Sequence, residues 1–561
     1  MPSPSITIIS NKSNQFGLQQ DVKHLMEAIG GQVEHCDPLE YPKATDIAIH
    51  LEVPAYVWMS HAKKNILVVN PEWYLEDAWK SYLSRFDLIV TKDELAANMF
   101  SDSPVRIIPW ATSFEAGALP TPEPKAPTAE PRAAFLWLIG GSKNKRAYAE
   151  RLVIAWRPEY PPLLIASVEP LGLDEQSNIT YRVGDLSPEE RRNLLITYKG
   201  HICCSKAEGF GYTAAEAEAV GAFAILNELS CYKQDYGGHA GVAFLPSKLT
   251  SWFDESGVAD IQGALDSAMV AFKAYDAAAV AARRTSRRRR WAKFADNWRA
   301  IIEGLYEPVP QTPMPPILAP QECPPISVVT LIYNRRKFFN LAYHSILVND
   351  YPKDRIEWIL VDDSDDPMEQ ATDRIMEVVE NAAPLKVIYV PLKKRTSVGE
   401  KRNIGVARAT ADIVLMVDDD DHYPETSFRR RVAWLTKHPW TPKAVAATTI
   451  ACYDLTRGIS AVNVPPLDIP LGQRISEATL AFYKSWWAEK KFPSEVQVGE
   501  GENFLQGREA DLLEVPPQQI IVAFSHGKNV SSRRVPSDAD VKPGCFWGFP
   551  REFLEFIHGL V

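Results

Sequence analysis

Short apolar runs of strand length recur along the chain, and stretches with helical periodicity separate them. Three of these runs open successive blocks of the sequence, at Ile6–Ile9, Ala134–Ile139 and Ile326–Ile332. Further runs follow inside the blocks, at Ile47–Leu51, Ile66–Val69, Leu88–Val90, Leu163–Ala166 and Ala222–Leu226. Strands that alternate with helices are typical of parallel sheets covered by helices. The pattern therefore predicts an α/β protein whose ligands bind at the carboxyl ends of the strands.

Two proline-rich segments divide the chain. The first covers residues 119–131 and the second residues 307–324. Such segments favour extended, semi-rigid linkers. The first unit covers residues 1–118, and the second unit, with its linker, covers 119–306. A third block covers 325–561. We expect the first two units to be Rossmann-like sheets that face each other across a cleft.

Composition and charge narrow the class of protein. The chain has 561 residues, of which 46% are hydrophobic and 24% charged, as in soluble globular proteins. A net charge of −10 argues against a general affinity for nucleic acid or anionic membranes. The seven cysteines are dispersed without a CxxC pair, which predicts reduced thiols. No signal peptide and no transmembrane segment can be recognised, so we expect a cytoplasmic protein.

The segment Arg283–Arg290 is locally basic and leads into Trp291, Phe294 and Trp298 at spacings of three and four residues. We expect an amphipathic helix that packs these aromatic side chains on the second unit and leaves its arginines in water. The alternative is a surface that binds an anionic acceptor or nucleic acid. The acidic balance of the whole chain favours the first interpretation.

Four consecutive aspartates, Asp418 to Asp421, follow the apolar run Ile413–Val417. Carboxylates this close together raise each other's pKa unless a cation lies among them. Clustered oxygen ligands suit Mg²⁺ or Mn²⁺, which proteins often share with substrate phosphates. The alternative, a solvated acidic turn, is less favoured because an apolar strand directs all four side chains to one place. The run therefore predicts a metal–diphosphate site.

Other motifs of the third block surround these aspartates in sequence. Tyr333–Arg335 follows the first strand, Asp362 and Asp363 end a second strand, and Gly399–Asn403 lies in a helix start. A carboxylate at a strand end can contact a nucleoside, and an arginine at a helix start can meet phosphate oxygens.

In this order the motifs resemble the family 2 glycosyltransferases of the GT-A fold, over essentially all of 325–561. The resemblance implies inverting sugar transfer with Mn²⁺ or Mg²⁺. By that resemblance Asp362, Asp363 and Arg402 bind the nucleotide sugar, and Asp418 and Asp420 are the metal–diphosphate pair of a DxD motif. The segment Phe524–Asn529 resembles a late family segment in which a histidine, here His526, reaches the metal.

The resemblance also implies a general base that takes a proton from the acceptor. In the family this is usually the aspartate of a Glu-Asp pair, and the matching stretch is Gly499–Leu505. Asn503 stands where that aspartate is expected, and an amide cannot serve as a base. We expect Glu502 to take this role, with Glu500 as the second choice.

The second unit carries its own candidate site. Glu208 and Glu216 are eight residues apart, with the glycine-containing turn Gly209–Gly211 and a helix between them. A helix start of this kind can face a diphosphate. A second glycine turn, Gly140–Gly141, precedes the cations Lys143 and Lys145.

These features resemble the family 4 glycosyltransferases of the GT-B fold, loosely over 1–306. The resemblance implies retaining sugar transfer without a metal cofactor. By that resemblance Glu208 lies near the transferred sugar, Glu216 at the ribose, and Lys143 or Lys145 at the diphosphate.

The sequence therefore predicts a bifunctional glycosyltransferase, with UDP- or GDP-sugars as donors and a glycan or glycoconjugate as acceptor. Two alternatives keep the enzyme class: only the GT-A half is catalytic and the GT-B half binds the acceptor, or the acceptor is a nucleic-acid base. A third alternative is a nucleotidyltransferase, which also places aspartates at a strand end but releases pyrophosphate. The Glu208–Glu216 pattern argues against it.

Overall fold

The computed structural model describes residues 4–14, 17–100, 102–112, 132–275, 281–306, 316–517, 519–526, 529 and 548–561, without the side chains of 132 and 281–289. The first proline-rich segment, the start of the second, Cys545 and most of the basic segment at 283–290 lie outside these residues or side chains. The six cysteines that the structure describes are buried.

The first unit is a parallel six-stranded sheet with the order β2-β1-β3-β4-β5-β6. Its strands are β1 (Ile6–Ile9), β2 (Val33–Cys36), β3 (Thr45–Leu51), β4 (Ala62–Val68), β5 (Leu88–Thr91) and β6 (Val105–Ile107). Its helices are α1 (Gly17–Ile29), α2 (Tyr56–Met59), α3 (Glu76–Trp79) and α4 (Glu94–Ala97), with 3₁₀ turns at Pro71–Trp73, Lys80–Arg85 and Asn98–Phe100. The apolar runs predicted as strands here are confirmed.

The second unit is also a parallel six-stranded sheet, ordered β12-β11-β10-β7-β8-β9. Its strands are β7 (Arg132–Gly140), β8 (Leu163–Ser167), β9 (Ile179–Val183), β10 (Tyr198–Ile202), β11 (Phe223–Asn227) and β12 (Val242–Leu245), with a hairpin of β13 (Leu249–Thr250) and β14 (Phe253–Asp254). Its helices are α5 (Lys143–Ala155), α6 (Pro188–Thr197), α7 (Tyr212–Val220), α8 (Ser230–Tyr236) and α9 (Val258–Ala274). Counted from β7, this is the Rossmann order 3-2-1-4-5-6, which reverses between β7 and β10.

The long helix α10 (Ala281–Leu305) crosses back to the first unit. Phe294 and Trp298 are buried in one cluster with Ile6, Leu18 and other side chains of the first sheet. The expectation that these aromatic residues pack on the second unit is wrong. The sequence shows that the helix has an apolar face, but not which of two similar sheets that face covers.

The third domain has a seven-stranded sheet ordered β17-β16-β15-β18-β22-β19-β23. Its strands are β15 (Ile326–Ile332), β16 (Ile356–Asp362), β17 (Lys386–Pro391), β18 (Ile413–Met416), β19 (Ala444–Ala446), β22 (Ala481–Tyr483) and β23 (Leu512–Glu514). The four strands β15 to β18 are parallel, whereas β22 runs antiparallel to both of its neighbours. A smaller sheet, β21-β20-β24, consists of β20 (Ile450–Asp454), β21 (Ile459–Asn463) and β24 (Val522–Ser525).

The helices of the third domain are α11 (Arg336–Val348), α12 (Thr372–Asn381), α13 (Val398–Arg408), α14 (Ser427–Lys437), α15 (Leu471–Arg474), α16 (Lys484–Glu489), α17 (Glu500–Leu505) and α18 (Arg551–His558). Its 3₁₀ turns are Pro320–Glu322, Lys353–Arg355, Glu477–Thr479 and Glu509–Asp511. Ser397 caps α13 by accepting a hydrogen bond from the Glu400 amide. Gly405 lets α13 lie close to the sheet, because a Cβ atom there would be 2.4 Å from a methyl group of Val329.

The third domain packs directly on the first unit. Tyr56, Met59 and Trp79 of the first unit share one buried apolar cluster with side chains of the third domain such as Ile475 and Leu480. The Trp79 indole N–H donates to the Leu467 carbonyl at 3.1 Å. Burying apolar side chains of two domains in one cluster favours a fixed orientation of the domains. The third domain is therefore fixed on the first unit by packing, in addition to its covalent linker.

Two buried histidines lie at this junction. His438 Nε2 is 3.0 Å from the Ser60 carbonyl, and its Nδ1 accepts a hydrogen bond from the Trp440 amide at 3.3 Å. His61 packs on Trp434 with ring centroids 5.2 Å apart. Burial lowers the pKa of both imidazoles to about 4. The junction is therefore built around neutral histidines.

Candidate active sites

Three strand ends converge at one edge of the mixed sheet. β15 lies between β16 and β18, all three strands are parallel, and the chain order reverses between β15 and β18. The turn 333–335, the carboxylates at 362–363 and the aspartates at 418–421 each follow one of these strands. A crevice at such a reversal is where open α/β sheets bind ligands. The topology thus brings together the motifs that the sequence singled out.

The aspartates form a compact cluster. Asp418, Asp420 and Asp421 each offer a carboxylate oxygen, and these oxygens lie within 4.8 Å of one another. Among the residues that the structure describes, one oxygen of the buried Asp419 finds no hydrogen-bond partner. Hard oxygen ligands at this spacing fit Mg²⁺ or Mn²⁺. A divalent cation among them would hold the diphosphate of a nucleotide sugar by neutralising its charge.

The pKa values of three of the aspartates are raised, which also indicates that the cluster suits a cation. Burial, followed by the charges of its neighbours, raises the pKa of Asp418. Burial raises the pKa of Asp419 to about 7, and it raises that of Asp421 well above the ordinary range. These shifts measure how unfavourable it is to hold several ionised carboxylates here without a cation.

Arg335 supplies part of the missing positive charge. Its Nη1 atom lies 2.8 Å from Asp419 Oδ1 and 2.6 Å from Asp420 Oδ2. Burial alone would raise the pKa of Asp420, but the charge of Arg335 and the hydrogen bond from His526 outweigh it, so the pKa is lowered. Arg335 lies in the Tyr-Asn-Arg motif, yet the sequence did not indicate that it contacts the aspartates.

His526 lies against the acidic cluster. Its Nε2 atom is 3.1 Å from Asp420 Oδ2, and its ring stacks on Phe338 with centroids 4.4 Å apart. Asn529 Nδ2 is also 3.4 Å from the same aspartate oxygen. The side chain thus stands beside the predicted metal ligands, with its Nε2 atom directed at Asp420.

The carboxylates at the end of β16 have separate partners. Asp362 accepts hydrogen bonds from the Tyr389 hydroxyl at 3.0 Å and from the Ser364 amide at 2.9 Å. Asp363 accepts from the Thr396 amide at 2.8 Å and forms a buried ion pair with Lys401. Burial outweighs the attraction of Asp363 and lowers the pKa of Lys401. Lys401 is part of the helix motif, but nothing in the sequence indicates its ion pair with Asp363.

Arg402 links the acidic cluster to the candidate bases. Its Nε atom donates to Glu500 Oε1 at 2.8 Å, and its Nη2 atom lies 3.9 Å from Asp418 Oδ1. Burial opposes the charge of Arg402, yet Glu500 and Asp418 raise its pKa above the ordinary value. Glu500 is therefore engaged in a buried ion pair.

The favoured base of the sequence, Glu502, has a different setting. It accepts a hydrogen bond from Gln473 Nε2 at 2.9 Å and is exposed. Its place on α17 is two residues beyond Glu500, so the two side chains leave the helix in different directions.

Two neighbouring indoles of α16, Trp486 and Trp487, are buried. Trp486 donates to Asp511 and Trp487 donates to Asn403, at 2.9 and 3.0 Å. They are 0% and 6% exposed, so they belong to the core beneath α13 and α17.

The second candidate site lies where the second sheet reverses. Asn144, after β7, donates to the Ala207 carbonyl at 3.3 Å, and the Lys206 amide donates to the Asn144 carbonyl at 3.2 Å. These bonds join the two loops at the reversal. Lys145 Nζ lies 3.4 Å from Glu208 Oε1 as a result. The structure thus brings together two of the four predicted residues.

The other two predicted residues, Glu216 and Lys143, are in different settings. Glu216 on α7 forms an ion pair with Arg191 of α6 at 2.5 Å, a partner that the sequence did not indicate. Lys143, at the first turn of α5, is exposed. Each carboxylate of the predicted Glu–Glu pair therefore has a cation of the protein itself beside it.

A cavity between the first and second units reaches Glu208. Its lining includes Glu72 and Asp93 of the first unit and Cys231 and Trp252 of the second. Burial raises the pKa of Glu72 to about 7, and the charge of Glu208 adds to the shift. The cavity is therefore acidic and is formed by both units.

Comparison with known proteins identifies the third domain. Residues 327–459, less than a quarter of the chain, match the sequence model described as Glycosyl transferase family 2. This part of the C-terminal region is therefore similar to the family 2 glycosyltransferases. The matched residues contain the ends of β15, β16 and β18, and with them the acidic cluster.

Two curated relatives match a similar length of sequence. The poly(ribitol-phosphate) β-N-acetylglucosaminyltransferase TarS of Staphylococcus aureus is 29% identical over 115 residues, which are 20% of this chain and 19% of TarS. The amylovoran biosynthesis glycosyltransferase AmsE of Erwinia amylovora is 27% identical over 113 residues, 20% of this chain and 41% of AmsE. The chain thus spans about a fifth of one relative and two fifths of the other.

Among solved structures, the apo structure of OtsA aligns with 55% of this chain and over 100% of the OtsA chain, with a TM-score of 0.39 and 10% identity.

In the part of the chain that the structure describes, no helix combines the length and the apolar character needed to cross a membrane.

Proposed function

We propose that the protein is a bifunctional glycosyltransferase that uses nucleotide sugars, UDP- or GDP-linked, to extend a glycan or glycoconjugate. The C-terminal domain transfers one sugar with inversion and depends on Mn²⁺ or Mg²⁺. The N-terminal half transfers another with retention, with its first unit on the acceptor side and its second unit on the donor side. The observation that carries the proposal is the cluster of Asp418, Asp420 and Asp421 inside the matched family 2 region.

In the C-terminal domain, Asp362 and Asp363 hold the nucleoside, and Arg402 and Asp418 orient the diphosphate. Asp418 and Asp420 hold the cation, with His526 beside them. The cation, when bound, supplies positive charge to the leaving diphosphate. Arg335 adds positive charge at the same aspartates.

In the N-terminal half, Glu208 lies near the transferred sugar, Glu216 at the ribose, and Lys145 or Lys143 at the diphosphate. Glu208 borders the cavity between the two units, where the donor unit faces the acceptor unit in this proposal. The proposal requires the donor to displace Lys145 from Glu208 and Arg191 from Glu216.

A second candidate function follows from those same pairs. Since Glu208 and Glu216 each already have a cation beside them, the N-terminal half would bind the acceptor without catalysis, and only the C-terminal domain would transfer sugar. Tethering the acceptor close to a catalytic domain raises its effective concentration.

One screen separates the two candidates. The full-length protein is incubated with a panel of UDP- and GDP-sugars, with and without Mn²⁺, and release of nucleoside diphosphate is measured. The full chain is required because the third domain shares its core with the first unit. For the bifunctional enzyme, Asp420→Ala abolishes the Mn²⁺-dependent activity and Glu208→Ala abolishes a second, Mn²⁺-independent one. A single, Mn²⁺-dependent activity would support the second candidate, and no release from any donor would contradict both.

A further inference from the structure

A glutamate that no motif indicated lies against α17, the helix that carries the candidate bases Glu500 and Glu502. Glu477 begins the 3₁₀ turn Glu477–Thr479, which lies between α15 and β22. The Gly501 amide donates to Glu477 Oε1 at 3.2 Å. A Cβ atom at position 501 would lie 2.5 Å from that oxygen. The absence of a side chain at 501 therefore leaves room for the Glu477 carboxylate on the first turn of α17.

The turn that carries Glu477 is attached to the acidic cluster. The Tyr423 hydroxyl accepts a hydrogen bond from the Asp418 amide at 2.8 Å and donates to the Ala478 carbonyl at 3.1 Å. The Thr479 hydroxyl accepts from the Ala447 amide at 2.8 Å. The position of Glu477 is thus coupled to that of Asp418 through one buried tyrosine.

The negative charges of three carboxylates raise the pKa of Arg402. These carboxylates differ in their contacts and in their burial. Glu500 holds Arg402 through a 2.8 Å hydrogen bond, and Asp418 is a member of the metal-binding cluster. Glu477 is the third carboxylate whose negative charge raises the pKa of Arg402. It is half-buried, whereas Glu500 is 4% exposed. A base must be within reach of the acceptor, which favours the half-buried Glu477 over the buried Glu500.

We propose that Glu477 is the general base of the C-terminal transfer reaction, which rests on the function proposed above. The acceptor hydroxyl gives its proton to the Glu477 carboxylate while its oxygen forms a bond to the anomeric carbon. The bond from that carbon to the diphosphate breaks, and the electron pair leaves with the nucleoside diphosphate. Glu500 orients Arg402, and Glu502 lies outside the reaction.

The test uses the full-length protein and the donor with the highest turnover in the screen. Glu477→Gln keeps the shape of the side chain but cannot accept the proton, so we expect kcat to fall about 100-fold or more. We expect the affinity for UDP or GDP with Mn²⁺ to change less than about threefold, because the base does not hold the nucleotide. Glu477→Asp keeps a carboxylate and should recover part of kcat, which a merely structural side chain would not. Glu380→Gln, an exposed glutamate on α12, is the matched control and should retain full activity.

Two further variants make the outcome decisive. Gly501→Ala should lower kcat like Glu477→Gln, because its methyl group takes the space of the carboxylate. Full turnover in Glu477→Gln, or loss of turnover in Glu502→Gln instead, would overturn the assignment of the base and leave the proposed function intact. A wild-type protein that turns over no nucleotide sugar would contradict the proposed function, and the base with it.

Discussion

The two candidate sites differ in how their carboxylates are compensated. At the C-terminal site, Asp418, Asp420 and Asp421 crowd together, and Arg335 contacts only part of the group. At the N-terminal site, Glu208 and Glu216 each have their own cation, in Lys145 and Arg191. At the first site the contacts of Arg335 cover only part of the carboxylate group, whereas at the second site each carboxylate has a cation beside it. Two sites at similar strand ends thus differ in how the charge of their carboxylates is balanced.

The largest effect should come from breaking a buried pair at the C-terminal site. Lys401→Met leaves the Asp363 carboxylate buried and unpaired, since both side chains are at most 6% exposed. Loss of one partner of such a pair costs about 3–5 kcal/mol of unfolding free energy. Urea unfolding followed by tryptophan fluorescence measures it.

The double variant Lys401→Met with Asp363→Asn is the control for this prediction. It removes the orphaned charge, so it should regain much of the lost stability. If Lys401→Met alone unfolds at the urea concentration of the wild type, the pair is not part of the folded core.

A smaller effect is expected from acid, at the junction between the two halves. His61 and His438 have a pKa of about 4 in the folded protein, against about 6.5 when unfolded. Their contribution to stability is full above pH 6.5. As the pH falls towards 4, the unfolded chain takes up protons that the folded chain does not, so stability is lost. The loss is at most about 3 kcal/mol for each histidine.

Thermal unfolding between pH 7.5 and pH 4.5 measures this dependence. His438→Gln keeps a group that can donate to Ser60 but cannot be protonated, so its melting temperature should fall less over this range. Equal slopes for the variant and the wild type would show that His438 is not the sensor.

The smallest effect is expected from the ion pair of the N-terminal site. Arg191 is 37% exposed, and partly exposed pairs contribute about 0–1 kcal/mol. A double-mutant cycle with Arg191→Met and Glu216→Gln should therefore give a coupling energy below about 1 kcal/mol. A coupling as large as that of Lys401 and Asp363 would remove the contrast between the two sites, since it would make both structurally essential.

Much of the fold could be predicted from apolar runs, because buried parallel strands have an unambiguous signature. The strands that carry Asp362 and precede Asp418 end at the same edge of the sheet, as their parallel pairing with β15 requires. Partners from remote loops could not be predicted in this way. Lys401 and Arg335 stand inside recognised motifs, but nothing in the sequence indicates which carboxylate each one meets.

The packing of whole units was the least predictable feature. Helix α10 covers the first sheet, and the third domain buries Tyr56 and Trp79 of the first unit. Both surfaces are assembled from residues far apart in the chain, so neither has a local periodicity. Glu477 was missed for a related reason: its neighbour in space, Gly501, is 24 residues away.

The central claim is that the acidic cluster is a metal–diphosphate site. Isothermal titration of Mn²⁺ into the full-length protein, in the presence of UDP or of GDP, tests it most directly. We predict that the wild type and Glu208→Gln bind one Mn²⁺ with the nucleotide, and that Asp418→Asn with Asp420→Asn loses this binding while keeping its melting temperature. Unchanged Mn²⁺ binding in the double aspartate variant would contradict the claim.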